Sequence, residues 1–305
     1  MARVLGVSRA SVWNALHGLD GAGLEIFKVK GRGYRLSQPL RWLERAAIER
    51  ELGARAGDFP VEVLDVAAST NTLLMARTTA GAASGSVIAA EWQTAGRGRR
   101  GRVWHAAPGA ALTFSLLWRF QQGAGALSGL SLAVGVAVAR TLARLGIEGA
   151  GLKWPNDVMW RGRKLAGMLI EMQGEVTGPS AAVIGIGLNC RLPDAVRGRI
   201  DQAVVDLAQI SGDALDRNRL LAMLLVDLAQ VLENFAQAGF APLRDEWERH
   251  HVFQGKSVRL TLPDAGTLDG LAKGVDADGA LLLETTTGVR RIHSGEVSLR
   301  LKHGA

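Results

Sequence analysis

At 305 residues the chain exceeds the roughly 150 expected of one ordinary domain, and its 48% hydrophobic content is enough for substantial cores. A single cysteine, Cys190, excludes a disulfide framework and any multi-cysteine metal site, as suits a reducing compartment. The 36 Lys and Arg against 29 Asp and Glu leave a net charge of +7, which favours acidic partners without selecting one, and no signal-peptide pattern opens the chain, so a cytoplasmic protein is expected.

Residues 1–38 read as a partial winged helix-turn-helix module. Ser8 is placed to cap a helix whose Val12, Leu16 and Leu19 form one apolar stripe. Two short strands follow, Glu25 to Val29 and Gly33 to Leu36, joined by the basic turn Lys30-Gly31-Arg32. Such a helix would lie in a major groove with Ser8, Arg9, Ser11 and Asn14 near bases or phosphates and Arg32 on the wing. Only Ala2 to Leu5 precede the turn, where a complete module carries a first helix. A start upstream of Met1, a truncated chain and a vestigial module all satisfy that pattern, and so does a small packing appendage that binds no DNA.

Residues 39–252 alternate between strand and helix patterns. A helix is predicted from Leu40 to Gly53, after Gln38-Pro39. Strands are predicted at Val61 to Asp65, Gly85 to Trp92, Ala111 to Trp118, Leu152 to Trp160, Lys164 to Met172 and Ala181 to Asn189, with a helix beginning at Ser69 or Thr70. Further helices are expected over Leu127 to Leu145, Arg217 to Phe235 and Ala241 to His250. The first of these approaches membrane-spanning length, but Ser128, Ser131, Arg140, Thr141 and Arg144 interrupt it, so a buried core helix is the better reading and no membrane partner is expected. The class is α+β, a central mixed sheet flanked by helices. From residue 253 to 305 short strands separated by Pro263-Asp264, Asp278-Gly279 and Ser294-Gly295 suggest a small β-barrel.

The stretch Gly96-Arg97-Gly98-Arg99-Arg100-Gly101-Arg102, between Trp92 and Trp104, carries the strongest functional signal. Its glycines allow tight turns and close approach, while four guanidinium groups offer forked donors for carboxylate or phosphate oxygens. Taken alone it fits a small anionic ligand and a nucleic-acid contact equally. Cys190 follows an apolar run and reads as a buried thiol.

Four segments in order, Ser69-Thr70-Asn71, then Gln93 through Arg102 with Trp104, then Lys153-Trp154-Pro155-Asn156-Asp157, then Arg163-Lys164-Leu165-Ala166-Gly167 leading to Glu171, strongly resemble biotin-protein ligases. Gly185-Ile186-Gly187-Leu188-Asn189 is a fifth match. With the partial winged helix before and the barrel after, the resemblance is to the bifunctional ligase-repressors and covers almost the whole chain. It implies a class II synthetase-like ligase domain and an SH3-like barrel. It also implies the reaction: biotin and ATP, with Mg2+ held mainly through the ATP phosphates, give biotinyl-5'-AMP. The biotinyl group then passes to a lysine of a biotin carboxyl carrier protein or domain.

On that resemblance Lys164 and Arg99 are the catalytic candidates, offsetting the repulsion between carboxylate and α-phosphate. Ser69, Thr70, Asn71, Gln93, Gly96, Arg97, Gly98, Arg99 and Lys164 would hold biotin, and Arg102, Trp104, Lys153, Asn156, Asp157 and Asn189 the nucleotide, with the loop ordering when ligand arrives. Glu296 and Arg300 would support ATP or acceptor docking, a plain barrel salt bridge being the competing role. No tightly bound cofactor and no protein-held metal is expected. Operator DNA and a ligand-dependent homodimer are the further partners implied. After Trp104 the pattern departs from the family: Ala106, Ala107 and Ala111 stand where a Ser-Pro pair and an Asn are usual, removing polar groups and backbone restraint from the flap. A DNA-binding repressor without ligase activity and a lipoate ligase are the alternatives.

Overall fold

The computed structural model describes residues 1–37, 40–175, 177–212, 215–262, 266–293 and 298–301. The N-terminal module consists of α1 (Ala2–Leu5), α2 (Arg9–Gly21) and the antiparallel hairpin of β1 (Ile26–Val29) and β2 (Gly33–Leu36). Ser8 caps α2 as its position suggests, its Oγ accepting from Ser11 N at 3.0 Å. Neither helix contains a buried residue, and Val4, Leu5, Trp13 and Phe27 are exposed. The module rests on the remainder through the buried Ala22 and Leu24, through Gly23 against Val196 and Ala107, and through an Arg199 bond to Gly21 O at 3.3 Å. Ala107, one of the departures, is thereby fully buried at this contact.

The central unit runs α3 (Arg45–Leu52), β3 (Val61–Ala67), α4 (Thr70–Thr79), β4 (Val87–Gln93), β5 (Ala111–Phe120), α5 (Leu130–Arg144), β6 (Ala150–Lys153), β7 (Asp157–Trp160), β8 (Arg163–Gly174), β9 (Ser180–Asn189), α6 (Asp194–Arg197), α7 (Leu207–Ser211), α8 (Arg217–Ala238) and α9 (Arg244–His250). The strands form one seven-stranded sheet in the order β3-β4-β5-β9-β8-β7-β6, parallel between β3 and β4 and antiparallel elsewhere. Alternation along β5 and β9 divides the two faces. Leu116 and Ile184 join the large core with α5 and α8, whereas Leu117 and Val183 pack with Leu74 of α4. Each such fully buried side chain contributes about 1.5–3 kcal/mol. Among the described residues α8 is the one helix apolar and long enough to cross a membrane, and its Leu220, Leu224, Leu228 and Phe235 are instead buried in this core.

Several predicted boundaries need correction. Residues 40–44 are not helical: Leu43 N donates to Glu91 and Arg217 donates to Arg41 O at 2.6 Å, tertiary bonds that hold the segment extended until α3 starts at Arg45. The single strand expected from Leu152 to Trp160 is a hairpin, β6 and β7, turning at 154–156, where Pro155 has no N–H for a ladder. The helix expected from Leu127 begins at Leu130, because Ser128 Oγ is held to Asp278 O at 2.8 Å and 124–127 form a separate 3-10 turn. Residues 241–243 are likewise 3-10, with α9 following. The short helices α6 and α7 have no counterpart in the sequence reading.

The last sheet contains β10 (Ser257–Thr261), β11 (Thr267–Val275), β12 (Leu281–Thr285), β13 (Gly288–Ile292) and β14 (Ser298–Leu301), all antiparallel in the order β13-β12-β11-β10-β14. Trp154 Nε1 donates to Gly279 O at 3.1 Å and Val275 N to Glu248 Oε1 at 3.0 Å, so the small sheet is fastened to the central unit beside β6 and α9. Gln38-Pro39, Pro263-Asp264, Ser294-Gly295 and Glu296 lie outside the described residues.

Candidate active site

A cavity of about 460 Å3 opens on the sheet face that carries α4, a volume in the range of small-molecule sites. Its position follows from the same alternation that builds the core. Toward Val87 the α4 side of the sheet is apolar, with Leu117 and Val183; two residues further along each strand it becomes Ser115 and Gly185, then Gly187. The loss of side-chain bulk is required. A Cβ on Gly185 would stand 2.1 Å from Asn71 Oδ1 and one on Gly187 2.4 Å from Trp104 Cε2, so both glycines make room for the walls of the site.

One wall is neutral and polar. Ser69 caps α4, its Oγ accepting from Thr72 N at 3.4 Å, which presents Thr70 and Asn71 in the first turn. Thr70 N donates to Gln93 Oε1 at 2.7 Å, Thr70 Oγ1 lies 2.7 Å from Ser115 Oγ, and Ser115 Oγ lies 2.6 Å from Asn71 Oδ1. Asn71 Nδ2 donates to Glu171 Oε2 at 2.9 Å and to Leu169 O at 3.1 Å, and the other Glu171 oxygen pairs with Arg97. All these groups are short uncharged donors and acceptors until the chain reaches Glu171.

The opposite wall is cationic. Lys164 Nζ pairs with Asp157 Oδ1 at 2.6 Å, and Lys153 Nζ lies 3.9 Å from Asp157 Oδ2, all three side chains being largely buried. Burial pushes the Lys153 ammonium below its usual pKa, against the pull of Asp157, with Lys164, Arg300 and Arg102 adding to the depression. Burial likewise lowers Arg99, again opposed by Asp157, and Arg99 reaches Asn156 Oδ1 at 3.5 Å. Asn156 is itself fixed by a 2.6 Å bond from its Nδ2 to Met168 O. Two lysines and an arginine thus crowd one carboxylate, leaving an excess of positive charge where little water reaches.

The arginine stretch closes over this cavity as a small hairpin, with Gly98 N on Arg102 O at 2.7 Å and Trp104 N on Gly96 O at 2.9 Å. Trp104 packs over Gly187, with Lys164 Nζ 5.8 Å from its ring centroid, and its Nε1 is buried with no hydrogen-bond partner among the described residues. That N–H is available to a ligand oxygen.

Of the residues expected in the site, Ser69, Thr70, Asn71, Gln93, Arg97, Gly98, Arg99, Arg102, Trp104, Lys153, Asn156, Asp157, Lys164 and Asn189 all line the cavity. Gly96 does not; it lets the loop pass Trp104 O, which a Cβ would meet at 2.6 Å. Asn189 is braced, its Nδ2 donating to Val205 O at 3.1 Å and Lys164 O at 3.4 Å, which makes it a support for the Lys164 strand. Arg300 is exposed on β14 and does not line the cavity, though its neighbour Leu299 does, and it is near enough for its charge to act on Lys153. Ser8, Arg9, Ser11, Asn14 and Arg32 are exposed on the N-terminal module. Ser115, Glu171 and the segment around 199–204 were missed as site parts. That segment is pinned beside the catalytic candidate by Lys164 N on Ala203 O at 2.8 Å. Among the described residues no three His, Cys, Asp or Glu side chains gather as a metal cluster.

Residues 63–189 match the Biotin/lipoate A/B protein ligase family and residues 253–300 the Biotin protein ligase C terminal domain. The Bifunctional ligase/repressor BirA of Escherichia coli is 39% identical over 98% of this chain and 91% of its own length. The chain belongs to the biotin protein ligase family. Another member, the Biotin--[acetyl-CoA-carboxylase] ligase of Mycobacterium tuberculosis, is 36% identical over 86% of this chain and 97% of its own. The solved biotin protein ligase from Aquifex aeolicus in complex with biotin and ATP superposes with a TM-score of 0.68 at 28% identity, covering 79% of this chain and 99% of that one. Family membership extends through both sheets that build and flank the cavity.

Proposed function

We propose that this ligase joins biotin to ATP to form biotinyl-5'-AMP and pyrophosphate, and then transfers the biotinyl group to a carrier-domain lysine of a carboxylase. The observation that carries this reading is the polarity of the cavity's two walls. Neutral donors and acceptors from Ser69, Thr70, Asn71 and Gln93 suit an uncharged ureido ring, while Lys164, Lys153 and Arg99 suit two anions brought together. In the first step a carboxylate oxygen attacks the α-phosphorus and pyrophosphate leaves; the ammonium of Lys164 offsets the charge that accumulates between the reactants. In the second step a neutral lysine amine attacks the acyl carbon, AMP leaves, and the same ammonium stabilises the departing phosphate oxygen. Asp157 orients Lys164 in both steps. Mg2+ enters as part of MgATP, bound chiefly by phosphate oxygens, since it favours substrate phosphates over all-protein cages.

The test is incubation of the purified protein with biotin, MgATP and an apo carrier domain. Carrier biotinylation that depends on all three supports the reading; adenylate formation with lipoate and not biotin contradicts it. The expected compartment is the cytoplasm, where carboxylase carriers and ATP meet.

A second activity, repression of transcription, is favoured by the N-terminal module, which exposes Ser8, Arg9, Ser11, Asn14 and Arg32. Operator DNA would be bound by a homodimer formed through the central sheet, where β8 beyond Met168 has no strand neighbour on the side of β7 among the described residues. A gel shift with promoter DNA of the biotin-synthesis genes, performed with and without biotin and MgATP, decides this; no ligand-dependent shift removes the repressor role.

A further inference from the structure

Glu171 ends the polar wall and also touches the arginine hairpin, a combination no other carboxylate described in the site has. Its two oxygens receive Asn71 Nδ2, at 2.9 Å, and Arg97 Nη2. We propose that Glu171 is a positioning residue: it latches the arginine hairpin to the floor of the cavity and, together with Leu169 O, sets the direction of the hydrogen bonds along that floor. This rests on the ligase reading for its consequence in catalysis, but the latch itself is a property of the free protein.

Proton bookkeeping supports the directional part. An ionised carboxylate only accepts, so the amide NH2 of Asn71 must face it, and the second amide hydrogen goes to Leu169 O at 3.1 Å. Asn71 Oδ1 is therefore turned to Ser115, whose one hydroxyl proton it takes at 2.6 Å. With that proton committed to Asn71, the Thr70 hydroxyl is left to donate either across the 2.7 Å contact to Ser115 or to Gln93 Oε1 at 3.2 Å, and Gln93 Oε1 also takes the Thr70 backbone N–H at 2.7 Å. Reversing the Asn71 amide would set its oxygen against both the carboxylate and Leu169 O, so Glu171 and that carbonyl together select one pattern of donors and acceptors for the wall. Ser115, at 0% exposure, has no water with which to change that choice.

The mechanical part follows from where the chain of bonds begins and ends. Gln93 is the last residue before the hairpin and Arg97 lies within it, so Gln93, Thr70, Ser115, Asn71, Glu171 and Arg97 close a ring that includes the base of the hairpin. Glutamine at position 171 keeps the shape, yet it loses the ionic hold on Arg97 and leaves Leu169 O as the one strict acceptor that orients the Asn71 amide.

The test has a ligand-free arm and a kinetic arm. Without biotin or ATP, trypsin cleavage after Arg99 and Arg100, read by mass spectrometry, should be about tenfold faster in Glu171→Gln than in the wild type, the fold expected for loss of one charge-assisted pair. Arg97→Gln, a change in the half-exposed partner that leaves the floor intact, should accelerate the same cleavages, and the double variant should be no faster than either single one. In steady-state biotinylation Glu171→Gln should raise the KM for biotin about tenfold with kcat within about twofold of wild type, since pre-organised binding is lost equally from ground and transition states. Glu171→Asp should recover part of the KM effect. Wild-type cleavage rates in both single variants overturn the latch whatever the reaction proves to be. Faster cleavage with an unchanged KM overturns the directional part alone, and absence of any biotinylation by the wild type contradicts the ligase reading while leaving the proteolysis result to stand.

Discussion

Ser115 and Trp13 are misplaced by ordinary expectation in opposite senses. Ser115 is polar, wholly buried in a central strand, and hydrogen-bonded on two sides; Trp13 is apolar, on a helix with no buried residue, and 54% exposed. The central unit thus pairs most of its buried polar side chains from within, Trp104 Nε1 at the cavity being an exception, so its site is built on internally braced groups. The N-terminal module leaves apolar surface uncovered and leans on Ala22, Gly23 and Leu24 for attachment. The difference teaches that catalysis is built on a rigid region and any DNA contact on one whose stability depends on what it touches.

The largest expected effect that sharpens this contrast is at the buried pair of Arg217 and Glu91, 2.7 Å apart, which also holds Arg41 O and Ala111 O. Arg217→Ala leaves Glu91 charged and unpaired in the core, and chemical denaturation should show a loss of about 3–5 kcal/mol. A loss below about 1 kcal/mol would mean the central unit is not the self-satisfied region described.

Next in size is a dependence on pH at His251, which is buried against Trp247 where the small sheet joins. Burial pushes its pKa from 6.5 down to about 4, opposed by a hydrogen bond with Gln254 and aided by Lys256. The unfolded chain therefore takes up a proton that the folded chain refuses as pH falls from 6.5 toward 4. Its contribution to stability is complete above pH 6.5 and lost through that window, by at most about 3 kcal/mol. Denaturant titrations across these pH values should show a flatter profile in His251→Gln; an identical profile assigns the acid sensitivity elsewhere.

Gly187→Ala places a methyl group against Trp104 and should cost about 1–3 kcal/mol by overpacking while raising the KM for biotin, measured by calorimetric melting and steady-state kinetics. At the bottom of the scale, Trp13→Ser should change global stability by less than about 0.5 kcal/mol, as for an ordinary surface position. A Trp13 effect equal to that of Gly187 would erase the contrast between the two regions.

Much of the site was legible because its charged residues lie in short segments with distinctive order: the arginine hairpin, Lys153 to Asp157, and Lys164 all meet in one cavity. Ser115 was hidden because one serine in the apolar run from Ala111 to Trp118 reads as a tolerated strand residue; only its pairing with Gly185 on β9 reveals the shared face. Glu171 marked the end of a motif, yet its role required knowing that Asn71 and Arg97, distant in sequence, reach it together. The false helix at 40–44 failed for a related reason, since bonds to Glu91 and Arg217 outweigh local propensity.

The central claim is that Lys164, held by Asp157 at 2.6 Å, supplies the positive charge for acyl-adenylate formation. Its most direct measurement is biotin-dependent exchange of labelled pyrophosphate into ATP by wild type and Lys164→Ala, with melting curves confirming that both are folded. The wild type should exchange with biotin and not with lipoate, and the variant should be slower by about 100- to 1000-fold. Exchange by Lys164→Ala at the wild-type rate would contradict the account.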